Sequence, residues 1–305
     1  MNPDFGEGWV SSPIDRWIAM LLKSGILFWI GGLVAWASQP KNGWERIWYL
    51  LKDIEPMQVL SLLFAIMMGL AITASLLKRF DFFVLRFLEG YYWSGWRQSL
   101  LRNIENWRIK KAETRRDELM KKPHWEAEEE KEFAQLDRQL MYVPPQAQRM
   151  PTRLGNLLRA IEMRPSHKYG LHIFVCWPRL WLLLPDNVKQ EVEQARHDLD
   201  TTVQIWMWGV LFAVWSFWGL NTLWAIPVAI VVASLAYYFW MLPAARVYGE
   251  LVESCFDLYR PLLYQASRFP MPDDPATEKE KGEKLTAYLW GRAEQHPPKF
   301  ELYSR

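Results

Sequence analysis

Cysteine is scarce in this chain: Cys176 and Cys255 are the two present in 305 residues. A small scaffold stapled by several disulfides is therefore excluded. Histidine is nearly as scarce, at five residues, and no His-rich, Asp-rich or Gly-x-Ser-x-Gly motif occurs. The familiar signatures of metal-dependent and serine-nucleophile catalysis are thus missing. A net charge of +2 is too small for a protein whose main partner is nucleic acid. The most informative absence is local. Residues 201–245 contain no Asp, Glu, Lys or Arg over 45 positions, whereas a single membrane span needs about 20.

What is present agrees with that absence. Half of the residues are hydrophobic and 19 are Trp, a composition unlike that of an ordinary soluble domain. The 201–245 stretch is long enough for two helices and a tight turn, placed at Gly219–Thr222 because Gly and Asn reverse the chain most cheaply. Trp218 and Trp224 then flank the turn at headgroup level. MQVLSLLFAIMMGLAITASLL, from Met57 to Leu77, is a further uncharged run that stops at Lys78 and Arg79. The segment Trp17–Ser38 is a fourth candidate, interrupted by Lys23. That ammonium would lie roughly 9 Å along the helix axis, close enough to the interface to snorkel. The expected fold is all-α: a polytopic membrane protein with four transmembrane helices and a cytoplasmic helical hairpin.

Orientation follows from the cations. From Lys78 to Lys122 there are twelve basic and six acidic residues, and Arg246 comes directly after the last apolar run. The positive-inside bias puts this region and both termini in the cytoplasm. The N-terminus MNPDFGEG lacks the basic segment of a cleavable signal peptide. Both cysteines are then expected on the reducing side, as free thiols.

Five regions are expected. Residues 1–96 hold the first transmembrane hairpin, with an amphipathic helix between its spans on the outer leaflet and an aromatic, basic exit helix through the headgroups. Residues 97–145 read as two helices separated by Pro123. The first, 97–122, carries a net charge of +5 and the second, 124–141, of −4, so the two are expected to fold back on one another. Residues 146–200 contain a Pro-rich loop, a short helix ending before PSHKYG, and LHIFVCWPRLWLLL. At 14 residues this last run is too short to cross a bilayer, and Pro178 and Arg179 sit at its centre. It reads as an elbow on the inner leaflet, with Trp177 and Trp181 at the headgroups and Arg179 reaching phosphate. The helix from Asp186 should then run unbroken into the 201–245 hairpin. Residues 246–305 extend the last span with an apolar stripe, Val247, Leu251, Val252, Cys255, Leu258, Tyr259 and Leu262, that needs a partner. A polar linker from Phe269 and a weak terminal helix are expected to end the chain.

The stretch PTRLGNLLRAIEMRPSHKYGLHIFVCWPRLWLLLPD, Pro151–Asp186, resembles a pattern in uncharacterised bacterial integral membrane proteins, above all in PTRLGN and in YG followed by WPRL. The resemblance covers roughly a tenth of the chain. It implies a bacterial inner-membrane protein and carries no activity or functional residue with it.

Candidate sites are correspondingly few. Lys78, Arg79, Trp177, Arg179 and Trp181 are expected to contact lipid headgroups. Phe64, Met67, Met68 and Gly69 would line a pore or pack helices, since a hydrophobic constriction needs no charge and small residues favour oligomers. His167, His172 and Cys176 form H-x4-H-x3-C, but no other Cys or His completes a familiar metal pattern. No catalytic residue, metal or cofactor is expected. The residues favour a non-enzymatic scaffold or sensor that binds anionic lipid and either its own copies or a cytoplasmic protein; the rival reading is an oligomeric ion channel or pore, and a membrane-embedded enzyme ranks third.

Overall fold

The computed structural model describes residues 25–38, 45, 48, 52 and 55–292. Lys23, the start of the first apolar segment, most of the outer amphipathic segment and the chain beyond 292 lie outside the described residues. The fold is all-α, with no strand among the described residues. Its α-helices are α1 (Ile26–Ala37), α2 (Pro56–Lys78), α3 (Asp81–Glu89), α4 (Gly95–Met120), α5 (Ala127–Leu140), α6 (Arg153–Tyr169), α7 (Ile173–Leu183), α8 (Asp186–Leu211), α9 (Ala225–Leu235), α10 (Leu242–Ser267) and α11 (Pro275–Leu289). Short 3-10 segments follow α8, and a π-helical turn, Ala236–Met241, joins α9 to α10. The chain forms two compact units, one of residues 1–84 and 200–241, the other of 85–199 and 242–305.

In the first unit, small residues let aromatic rings approach the backbone. Gly31 and Gly32 are buried on α1, and a Cβ at either would strike the ring of Phe212 at 2.1 Å or of Trp215 at 2.4 Å. Trp215 donates its indole N–H to the Phe28 carbonyl at 3.0 Å, which satisfies the one polar atom of a ring otherwise held by apolar contact. On α9 the buried residues Ala225, Ala229 and Ala233 recur every fourth position, and Val232 and Ala233 lie against Gly209 of α8. The chain reverses at Gly219, whose φ of 148° is open to glycine alone. The opposite faces of these helices are apolar and uncovered, with Leu27, Ile30 and Leu33 of α1 all exposed.

The 23 residues of α2 start with Pro56 at the first helical position, behind a capping box between Glu55 and Gln58. Four crossing helices are expected from the sequence. Among the described residues, one helical run is both long and apolar enough to cross a membrane: Leu220–Ser267, 48 residues, which includes α9 and α10. Ile26–Ala37 and Ile173–Leu183 are apolar and shorter.

The second unit has a conventional core built by α6, α7, α10 and α11. Thr152 caps α6 by accepting from the Gly155 amide at 3.0 Å, and the helix ends at Gly170 with φ 69°. Contrary to the break expected at PSHKYG, α6 runs through Pro165, which is itself buried. Tertiary packing outweighs the lost hydrogen bond there: Ile161 fits against Gly249 of α10 so closely that a Cβ would meet it at 2.0 Å. The apolar stripe of α10 likewise finds its partner within the chain. Val252, Cys255, Phe256, Leu263 and Tyr264 are buried against α6, α7 and α11, while Val247 and Leu258 of the expected stripe are exposed.

The expected polar linker after Phe269 is in fact largely helix α11. Asp274 accepts from the Thr277 amide at 2.8 Å, and Pro275 opens the first turn. Leu285 is fully buried, and Arg260 of α10 pairs with Glu278 at 2.6 Å. The charged helices α4 and α5 run antiparallel, joined by Arg115, whose guanidinium meets both carboxylate oxygens of Glu132 at 2.9 and 2.7 Å, and by Lys122 with Glu129. Both pairs are open to solvent, which screens them and leaves them small contributors to stability.

Candidate functional site

The elbow helix α7 carries apolar residues on both of its faces. Val175, Cys176 and Leu180 point into the core of the second unit, and Phe174 and Leu182 are 58% and 77% exposed on the other side. Pro178 removes one rung of the helix ladder. Next to that gap, Arg179 donates to the Val175 carbonyl at 2.6 Å and to the Leu289 carbonyl at 3.2 Å. Leu289 is the last residue of α11, where a cation is favoured by the helix dipole. The guanidinium expected at a lipid phosphate therefore has carbonyl partners within its own unit. Trp177 and Trp181, expected at the headgroups, are half-buried against the core, with ring centroids 5.7 Å apart and Trp177 at 5.9 Å from Phe256.

The remaining candidates divide between the units. Lys78 ends α2, and Lys78 and Arg79 are both exposed. Phe64 and Met68 are also exposed, and a Cβ on Gly69 would meet nothing within 4 Å. The side chain of Met67 lies outside the described residues. His167, His172 and Cys176 form no metal centre: among the described residues no group of three or more His, Cys, Asp or Glu is placed to hold an ion. His172 instead stacks on Trp290 at 5.3 Å.

Thr286 takes the place of that imagined centre. Buried on α11, its hydroxyl donates to the Gly170 carbonyl at 3.0 Å, accepts from the His172 amide at 3.2 Å and lies 3.7 Å from the Cys176 sulfur. One side chain thus pins the α6–α7 junction to α11. The Asp274–Pro275 pair is the sequence signal that could have found this helix, since a capping residue before Pro is a strong helix start.

A second polar group gathers at the end of α6. Asp257 of α10 receives hydrogen bonds from Tyr169 and, at 2.9 Å, from Lys168. Burial works to raise the Asp257 pKa, but these donors outweigh it and hold the carboxyl below its usual range. Arg260 stacks over the Tyr169 ring at 4.1 Å. These groups satisfy one another and resemble a structural clasp more than a reactive centre. Burial pushes both thiols up, Cys176 in direction and Cys255 to about 11, which leaves neither poised as a nucleophile.

Glu89 departs clearly from the ordinary behaviour of a carboxyl group. Its side chain is buried beside Arg86 at 3.2 Å, and desolvation outweighs that cation, raising its pKa from 4.5 to about 7. The folded chain therefore favours the protonated form. This stabilisation is complete below pH 4.5 and is lost as pH rises through about 7. At about pH 8 the charged carboxylate costs on the order of 3 kcal/mol relative to the protonated group. Glu89→Gln is expected to flatten the decline in thermal stability between about pH 5 and pH 8. Parallel wild-type and variant profiles, measured by fluorescence-monitored melting, would show that Glu89 titrates as an ordinary carboxylate.

Comparison of the chain with protein-family models, with curated proteins and with solved structures returned no match.

Proposed function

We propose that the chain is a non-enzymatic protein of the bacterial inner membrane, a scaffold or sensor that crosses the bilayer four times and keeps both termini in the cytoplasm. The observation that carries this reading is the run Leu220–Ser267, which passes without a break from an uncovered apolar surface into the buried core of a charged helical unit. The run supplies α9 to the first unit and α10 to the second. The exposed apolar faces of α1, α2 and α9 support contact with lipid. The 23-residue α2, about 34 Å long, supports a crossing of its own. The basic bias from Lys78 to Lys122 supports the inward orientation.

The partner surface in this reading differs from the one expected of the α10 stripe, because that stripe is covered by α6, α7 and α11. What remains for anionic lipid or a protein is the outer face of α7, with Phe174 and Leu182, and the charged α4–α5 pair. The channel reading draws on α2, where Phe64, Met68 and the unobstructed Gly69 would let a second copy approach closely.

Reconstitution of the purified chain in lipid nanodiscs, with mass determination and planar-bilayer recording, separates the two. The scaffold reading expects a stable oligomer or a defined cytoplasmic complex and electrically silent bilayers. Unitary conductance steps abolished by a bulky residue at Gly69 would establish the channel. A silent monomer without a partner would overturn both.

A further inference from the structure

Four arginines converge on one cavity of the second unit. Arg108 of α4, Arg138 of α5, Arg153 at the start of α6 and Arg246 of α10 line a space of about 350 Å³, together with Tyr142 and Asn156. They come from four helices, so the charge is assembled by the fold and is not a stripe on one solvated helix. Two carboxylates, Glu105 and Glu250, stand close to them. Glu105 bonds Arg108 and lies 4.0 Å from Arg153, and it also accepts from Asn156 at 3.3 Å. Glu250 accepts from Tyr142.

Arg246 supplies a second and independent sign. Its Nε atom is buried and has no hydrogen-bond partner, although a guanidinium removed from water ordinarily has acceptors for its donors. The ring of Tyr142 lies 5.3 Å from its central carbon and holds the side chain over the cavity without satisfying that N–H. The first turn of α6, which contributes both Arg153 and Asn156 to the lining, adds the positive end of a helix dipole. Planar guanidinium forks bind carboxylate and phosphate oxygens alike, and the several oxygens of one phosphate can take donors from more than one fork at once.

We propose that Arg108, Arg138, Arg153 and Arg246 bind a phosphate group, carried by an anionic lipid headgroup or by a soluble phosphate compound. The site goes beyond the scaffold reading, and only its lipid form depends on the chain being a membrane protein. Arg246 follows the uncharged 201–245 stretch directly, which would bring the cavity to the depth of headgroup phosphates. Phosphate occupancy would bridge α4, α5, α6 and α10 and tighten the unit around the end of the last apolar helix.

The test uses the full chain in lipid-free maltoside micelles at constant ionic strength. It is titrated with inorganic phosphate and, separately, with dihexanoyl phosphatidylglycerol, while thermal unfolding is followed. Stabilisation by one or both is expected, with the half-saturating concentration raised about tenfold by Arg138→Gln and by Arg246→Gln. Arg138 is exposed, so its substitution spares the fold even if that of Arg246 does not. Lys284→Gln on α11 removes a cation elsewhere and should respond as wild type does. Stabilisation by both compounds assigns the site to the phosphate itself, and stabilisation by the lipid alone assigns it to a headgroup. The proposal is overturned if neither stabilises the wild type, or if Arg138→Gln responds as Lys284→Gln does.

Discussion

Gly282→Ala is expected to destabilise the second unit by about 3 kcal/mol or more, although the same change on an isolated helix stabilises it by about 1 kcal/mol. The sign reverses because Gly282 faces the end of α6. A Cβ there would lie 1.8 Å from the Tyr169 carbonyl oxygen, a backbone atom that cannot rotate away. The neighbouring Gly170 is equally confined, at φ 69° with the Lys279 carbonyl 2.1 Å from where its Cβ would be. Neither side of the contact can yield, so α11 must move off. Its departure would uncover Leu285 and break the triple contact of Thr286. Denaturant unfolding should show the loss, and limited proteolysis should cut the Arg268–Asp274 connection in the variant before the wild type. A variant more stable than wild type would mean that α11 is not docked on α6 in solution.

Phe256→Ala carries the other large expectation, a loss of about 3–5 kcal/mol. The ring is fully buried on α10 among α7 and α11 and packs against Trp177. Leu258, two residues on, is 72% exposed on the same helix, and Leu258→Ala should change stability by no more than about 0.5 kcal/mol. The contrast bears on function as well as packing. If a partner protein covered the Phe256 face, the isolated chain would tolerate Phe256→Ala and the complex would not. A near-neutral Phe256→Ala in the isolated chain would therefore return the α10 stripe to the partner surfaces.

How much was legible in the sequence depended on the kind of signal. The unbroken α8 could be read because nothing between Asp186 and Leu211 interrupts a helix, and the reversal near Gly219 because few residues tolerate its backbone. The opposed charges of α4 and α5 indicated a pairing, since like and unlike charge are visible without coordinates. Periodicity showed that the α10 stripe must be buried but could not say against what, and the partners in α6 and α7 lie about 80 to 90 residues away in sequence. The polar composition of residues 274–284 hid α11, because only Gly282, Leu285, Thr286 and a few neighbours touch the core. The arginine cavity was invisible for a related reason. Arg108, Arg138, Arg153 and Arg246 are each unremarkable on their own helices, and their convergence is a property of the tertiary fold alone.

We propose that a charged helical unit inside the cell is joined to four membrane-crossing helices. Labelling of single introduced cysteines in intact cells tests it most directly. Cys176 and Cys255 are buried and give little background. The account predicts that Asn221→Cys, at the Gly219 turn, reacts with an impermeant maleimide added outside, and that Lys122→Cys and Asp273→Cys react only after the membrane is opened. Labelling of Lys122→Cys from outside, or protection of Asn221→Cys until lysis, would contradict it.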